Sequence, residues 1–526
     1  MYRRLLIVRA ACLTVCLMLA LTLVLQMQST DLTEAAVRQS QTILTAGQAA
    51  GTIYDRHLQP LNNRETVLYA AVTPTPDCIA ALLPQMAEVS PLLTGLRSGK
   101  PFLCRVNAPP ESPDIPVLSL PLRSSGNPVA PHILGYTQSG RGVTGLEQDY
   151  DRILRGSKDP ASVTYVVDAR GHALLGEPVT VRQAQGINPS VVTTLDTGIQ
   201  QFCEHLEIQK GAVVVMDVQT GDVLAMASFP SYDPSALAQA LDDPDSPLIN
   251  RCLCAYSVGS IFKLVTCAAA YKEGILDFET TCTGRTEIRG QTFRCHDWRG
   301  HGDVDMRQAM IYSCNTYFVE LSELLDPGIM LSTAQDLGFG TQIALSGSIV
   351  STSGTLPSMA DLQLPAEMAN FCFGQGLLTA TPLQVTQMTC GIANDGHMPL
   401  ARLIRGFTTD GKTVLDEKPP MYAYALRRNA AYYLQGLMIS AVNENEVSNA
   451  VPESVIAAAK TSTAQTGRYD ADGTEYCHAW ITGYFPIEEP QYAVTVLVED
   501  GGYGNDAAAP LFREIADGIV QMQPAP

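Results

Sequence analysis

Positive charge is scarce in this sequence: 34 lysines and arginines stand against 53 acidic residues, a formal charge of -19 at neutral pH. Without a basic excess nothing neutralises phosphates, which excludes a nucleic-acid partner. Phosphate-binding loops are missing too. The glycine-rich stretch from Gly140 fits neither the dinucleotide fingerprint nor the P-loop lysine spacing, and reads as a tight turn before a short helix carrying Leu146, Tyr150 and Leu154. The 14 cysteines form no regular ladder, so most read as small buried apolar residues. With 46% hydrophobic and 17% charged residues over 526 positions, the chain is globular and long enough for two or three cores.

One long apolar run stands near the N-terminus. Ala10 to Leu25 follow Arg3, Arg4 and Arg9, and counting from Leu5 gives about the twenty residues a membrane helix needs. The run exceeds the usual signal-peptide core of about 7–15 residues and no small-x-small site follows closely. An uncleaved anchor over residues 1–29 is expected, with the body outside the cytoplasm by the positive-inside rule. About nine residues precede Ala10, too few for a cytoplasmic signalling domain.

Residues 30–195 are expected to form an N-terminal pedestal or dimerisation domain. Thr30 to Ala50, with Leu32, Ala36, Ile43 and Leu44 recurring, reads as a helix ended by Gly51; Gly51 to Leu61 reads as strand, turn and strand. Pro109, Pro110, Pro113 and Pro116 predict irregular structure between 76 and 130. Val163–Val167 and Val179–Val181 are predicted strands, and Val191–Asp196 leads into a helix near Thr197. Residues 196–526 form the second expected domain. Its runs from Gly211 and Val223 make a hairpin about Thr220-Gly221-Asp222, Met306–Leu324 is helical text, and Ala457–Ala464, Ala479–Tyr484 and Tyr492–Glu499 are three more strands before a helix over Leu511–Val520. Strands at both ends with helices between them imply an α/β (α+β) fold: one antiparallel sheet of distant segments, flanked by helices.

Chemistry is suggested first by Y-S-V-G-S-I-F-K, Tyr256 to Lys263, which opens a helical run. Ser260 and Lys263 fall three apart, on one face. A serine hydroxyl needs a base to become a nucleophile, and a lysine in apolar surroundings is driven toward the neutral form that can serve as one. Tyr312-Ser313-Cys314-Asn315 adds a hydroxyl and an amide inside a helical run, and Lys460-Thr461-Ser462-Thr463 adds an ammonium and hydroxyls on a strand.

In this order the three stretches match the S-x-x-K, S-x-N and K-T-G set, and the chain resembles a class B penicillin-binding protein. G-T-I-Y-D-R at Gly51–Arg56 and G-L-E-Q-D-Y-D at Gly145–Asp151 are similar to marks of that family's N-terminal domain. G-H-G at Gly300–Gly302, G-Q-G at Gly374–Gly376, T-P-L-Q at Thr381–Gln384 and A-A-P near Ala508 are similar to marks of its transpeptidase domain.

The resemblance implies a penicillin-binding transpeptidase, serine-β-lactamase-like sheet behind an elongated N-terminal domain and a single membrane helix. It also implies a D,D-transpeptidase acting on the D-Ala-D-Ala end of peptidoglycan stem peptides, acylated by β-lactams, and paired with a glycan polymerase of the SEDS class. In that chemistry Ser260 attacks a carbonyl and Lys263 takes its proton. Ser313 relays a proton to the departing amine, and Asn315 orients Lys263 and the substrate amide. Lys460 supplies charge that keeps Lys263 neutral. Thr461, Ser462 and Thr463 form the substrate strand, with backbone N–H groups of Ser260 and Thr463 holding the oxyanion. No cofactor is needed for catalysis. Two alternatives stand beside this: a D,D-carboxypeptidase or β-lactamase-type hydrolase that passes the acyl group to water, and a non-catalytic β-lactam sensor or polymerase activator.

Two positions depart from the pattern: Ser462 replaces a glycine and Val258 a proline. The cluster Cys282, Cys295, His301 and Cys314 has three readings: a structural zinc with Asp297 as a substitute ligand, a Cys282–Cys295 disulfide across a hairpin through Arg289-Gly290, or unlinked thiols.

Overall fold

The computed structural model describes residues 2–27, 40–47, 50–123, 128–155, 160–183 and 189–522. Two compact units interleave along the chain. The smaller gathers Met1–Ala50, Asn63–Arg123 and Arg155–Asn188; the larger gathers Gly51–Asn62, Ser124–Leu154 and Pro189–Pro526. The chain therefore does not divide by one cut at 195, because two excursions return to the larger unit. Ile53 and Tyr54 pair in parallel with Val191 and Val192. Ile53, Leu61, Ile133, Leu146 and Leu154 all enter the larger unit's main core.

Tyr2–Met27 is one continuous helix, and its span Tyr2–Gln26, of mean hydropathy 2.4, is the one candidate among the described residues long and apolar enough to cross a membrane. In the smaller unit, Glu65–Val72 is the centre of a three-stranded antiparallel sheet between Phe102–Val106 and Val117–Leu122. Helices Pro76–Leu82 and Ser90–Ser98 stand in the stretch expected to be irregular. Their prolines lie at the helix starts, where a missing N–H costs nothing. Gln41–Gly47 is a strand paired antiparallel with Ala161–Val166, which corrects the helix expected over Thr30–Ala50. Its exposure alternates at period two, and β-branched Thr42, Ile43 and Thr45 favour the extended chain. Residues 30–39, 48 and 49 of that expectation lie outside the described residues.

The larger unit is built on one five-stranded antiparallel sheet of β1 (Gly211–Asp217), β2 (Val223–Phe229), β3 (Ala458–Tyr469), β4 (Glu475–Phe485) and β5 (Tyr492–Val498), in spatial order β2-β1-β5-β4-β3. Ala212, Val214 and Met216 enter one apolar cluster while Val213 and Val215 enter another. Both faces of β1 are thus covered, which is why it reads as an unbroken apolar run. On one side lie α1 (Thr197–Glu204) and α5 (Ala509–Met522); on the other lie α2 (Lys263–Glu273), α3 (Pro382–Ala393) and α4 (Arg428–Asn443). Helix α3 is buried along its whole length and opens on a Thr381–Gln384 capping box, so the T-P-L-Q stretch supplies both the cap and the first turn.

Phe512 on α5 is fully buried, 6.1 Å from Phe485 of β4 between ring centroids. Phe512→Ala should cost about 3–5 kcal/mol, read as a fall of several degrees in the thermal midpoint of the purified chain. An unchanged midpoint would contradict this packing.

Candidate active site

Ser260 lies in a 3₁₀ turn, Gly259–Phe262, that feeds directly into α2 at Lys263. Lys263 is wholly buried. Its Nζ donates to the Ser313 carbonyl at 2.8 Å and to Asn315 Oδ1 at 2.8 Å, and lies 3.4 Å from Ser313 Oγ. Lys460 reaches the same hydroxyl from β3: its Nζ is 3.1 Å from Ser313 Oγ and 2.9 Å from the Thr461 carbonyl. One serine hydroxyl is therefore shared by two buried lysines.

The sequence predicted a single helical run over Met306–Leu324. The structure breaks it into Met306–Ile311 and Asn315–Leu321, because Ser313 adopts the left-handed conformation at φ 54°. On an unbroken helix, residues two apart do not face each other. The break lets Ser313 and Asn315 both meet Lys263, at a strain of about 1–3 kcal/mol stored in the backbone.

Burial pushes both lysines down. Lys263 falls to about 8, held up in part by the neighbouring Cys314, Cys295 and Cys267. Lys460 falls to about 7, its burial reinforced by the charge on Lys263. The sequence assigned the standing charge to Lys460 and neutrality to Lys263; burial lowers both and the two ammonium groups repel each other, so the pair holds its protons less tightly than either lysine would alone in water. Groups this close titrate as a pair, with one lysine neutral near pH 7–8.

Thr461 and Thr463 of β3 are half-buried. Thr463 Oγ1 accepts the Gly504 N–H at 3.1 Å, which leaves its own proton to donate. Ser462 points the other way, as strand alternation requires. It is only 3% exposed and donates to the Val258 carbonyl at 2.7 Å. Its side chain is thus spent within the protein and does not join the threonines, contrary to its grouping with the substrate strand.

The three thiols and the imidazole come together: one ligand atom from each of Cys282, Cys295, His301 and Cys314 lies within 4.8 Å of every other. The hairpin Arg285–Ile288 and Gln291–Arg294 forms as predicted, but Cys282 and Cys295 remain free thiols. Cys295 Sγ is 3.6 Å from His301 Nδ1 and 4.0 Å from Cys314 Sγ, close to the roughly 3.7 Å between ligands of a tetrahedral zinc with bonds of about 2.3 Å. The donor set fits that metal. Cys295 is held toward its thiolate by the Cys314 thiol and the two adjacent imidazoles, while Cys314 is raised by that same charge. Asp297 does not take part; it pairs with Arg299 at 3.1 Å on the surface.

Sequence reasoning missed a brace beneath the nucleophile. Arg251, 4% exposed, donates to Glu499 Oε1 at 2.8 Å, and Tyr256 donates to the same oxygen at 2.6 Å. Tyr256 lies four residues before Ser260, in a short strand, but its partner is 243 residues away, and no local pattern links them.

Lys460 binds its proton less tightly when folded than at its ordinary 10.5, so stability rises with pH from about 7 toward 10.5 and the full penalty is present below that window. Lys460→Met should therefore raise the thermal midpoint over the parent by several degrees at pH 6, with the difference shrinking toward pH 10. A difference independent of pH would contradict a buried, depressed lysine.

Comparison with known proteins agrees with this architecture. The family described as penicillin binding protein transpeptidase domain matches residues 211–517. Peptidoglycan D,D-transpeptidase PbpA of Mycolicibacterium smegmatis is 31% identical, over 74% of this chain and 83% of its own. The protein of that name from Mycobacterium tuberculosis is 32% identical, over 77% and 85%. A solved structure of penicillin-binding protein A from M. tuberculosis, a penicillin G acyl-enzyme complex, superposes with a TM-score of 0.65 at 24% identity, covering 90% of this chain and all (100%) of the other.

Proposed function

The chain belongs to the penicillin-binding protein transpeptidase family, and from that membership we propose that it is a peptidoglycan D,D-transpeptidase working through a Ser260 acyl-enzyme. The observation that carries the assignment of residues is the Ser313 hydroxyl between Lys263 and Lys460, with Asn315 on Lys263. The Lys263 hydrogen bonds go to Ser313 and Asn315 rather than to Ser260, so Ser260 Oγ is not locked to the base before substrate arrives.

In the acylation step Ser260 Oγ attacks the carbonyl of the penultimate D-Ala of a stem peptide, and its proton passes to neutral Lys263. Backbone N–H groups of Ser260 and Thr463 stabilise the developing oxyanion; one such donor is typically worth about 100- to 1000-fold in rate. The terminal D-Ala leaves as its amine, protonated through Ser313, and Thr461 and Thr463 hold its carboxylate. An amine of a neighbouring stem then attacks the ester and regenerates Ser260. β-Lactams acylate the same oxygen.

The helix Tyr2–Met27 anchors the chain, with Arg3, Arg4 and Arg9 on the cytoplasmic side and the transpeptidase outside, where the substrate is. A glycan polymerase of the SEDS class in the same membrane is the expected partner. A structural zinc held by Cys282, Cys295, His301 and Cys314 would tie the turn bearing Ser313 and Asn315 to the neighbouring hairpin; the match of donor types and spacings supports it.

A fluorescent penicillin should label the purified protein covalently and fail to label Ser260→Ala, and the labelling rate should rise with pH through about 7–8 as one lysine of the pair becomes neutral. Absence of label on the parent would sink the acyl-enzyme, and rapid loss of label would favour a hydrolase. Elemental analysis after purification without added zinc should find about one zinc per chain, lost in Cys295→Ser. A folded, active, zinc-free sample would rule the metal out.

A further inference from the structure

We infer that the Ser462 hydroxyl is a positioning group that sets the oxyanion pocket by stitching β3 to the turn bearing the nucleophile; the inference rests on the acyl-enzyme proposed above. Ser462 Oγ donates to the carbonyl of Val258 at 2.7 Å in a buried site. Val258 lies two residues before Ser260, and Ser462 lies one before Thr463. The hydrogen bond therefore joins, by a short path, the two backbone segments whose N–H groups must converge on one oxygen.

The residue between the two ends is fitted to this bond. Gly259 has φ 64°, and a Cβ there would collide with the Ser462 hydroxyl. Its N–H is held by the Gly374 carbonyl at 2.9 Å, and a Cβ on Gly374 would collide in turn with the Gly259 carbonyl. The turn is thus held between β3 and the Gly374 loop, and the Ser462 bond is the side-chain contact that fixes its distance from β3. Glycine at 462 would leave the Val258 carbonyl without this donor. The hydroxyl does not face the threonines of the substrate strand, so it acts on the transition state through placement of Ser260 and Thr463 rather than by touching the ligand.

The test is stopped-flow acylation of purified parent, Ser462→Ala and Ser462→Gly proteins by a chromogenic β-lactam, with rates normalised to sites titrated by the fluorescent penicillin. The first-order acylation constant per titrated site should fall about tenfold in both variants, while the dissociation constant of the preceding noncovalent complex stays within about twofold. Loss of fold alone lowers the number of titrated sites and leaves that constant unchanged, and a contact to the ligand weakens the noncovalent complex. An unchanged constant in Ser462→Gly, or an effect confined to noncovalent binding, overturns the inference. An unlabelled parent instead overturns the acyl-enzyme reading on which it rests.

Discussion

Two lysines buried around one serine hydroxyl are the constraint to which the rest of the larger unit answers. Neither ammonium group is stable in such surroundings, and each makes the other less so. Keeping them there requires carbonyl and amide acceptors on one side, supplied by Ser313 and Asn315, and a covered sheet on the other, supplied by β3 between α4 and the nucleophile turn. The instability is useful, because a lysine that ionises near neutrality is a base at the pH where the enzyme works.

Local strain is placed where it changes direction of side chains. Ser313 and Gly259 both take left-handed backbone, one with a side chain and at a cost, one without. Each lies shortly before a residue of the site: Asn315 comes two positions after the first and Ser260 directly after the second. Met306–Ile311 opens on an Asp305–Gln308 capping box, and the Cys314 N–H donates back to the Ala309 carbonyl at 2.9 Å, so the broken stretch is tied to the helix before it.

Much of this was legible in the sequence, and what was not has definite physical causes. The hairpin of β1 and β2 and the strands β3 to β5 announce themselves by β-rich runs between turn residues, and the three short motifs named the polar groups of the site. The break at Ser313 was hidden because serine carries no local mark of a left-handed residue. Gln41–Gly47 looked helical because Leu32 to Leu44 recur at helical intervals, yet its pairing with Ala161–Val166 is a tertiary fact. The Arg251–Glu499–Tyr256 brace and the bond from Ser462 to Val258 join residues more than two hundred positions apart, beyond the reach of any periodicity. The cysteine cluster lay between: its members were visible, but Asp297 could be separated from them only once its bond to Arg299 was seen.

The strand order of the sheet has a consequence in time as well as space. β5 lies between β1 and β4, so strands made early in synthesis meet the lysine-bearing β3 only through a segment that ends at Val498. Until that segment is made, β1 has no neighbour on the side away from β2, and the sheet cannot close between β1 and β4. Non-local pairing of this kind closes late and slowly. The gap between β1 and β4 is therefore the last part of the sheet to be filled as the chain is made, and the two halves of the sheet become one only with its final strand.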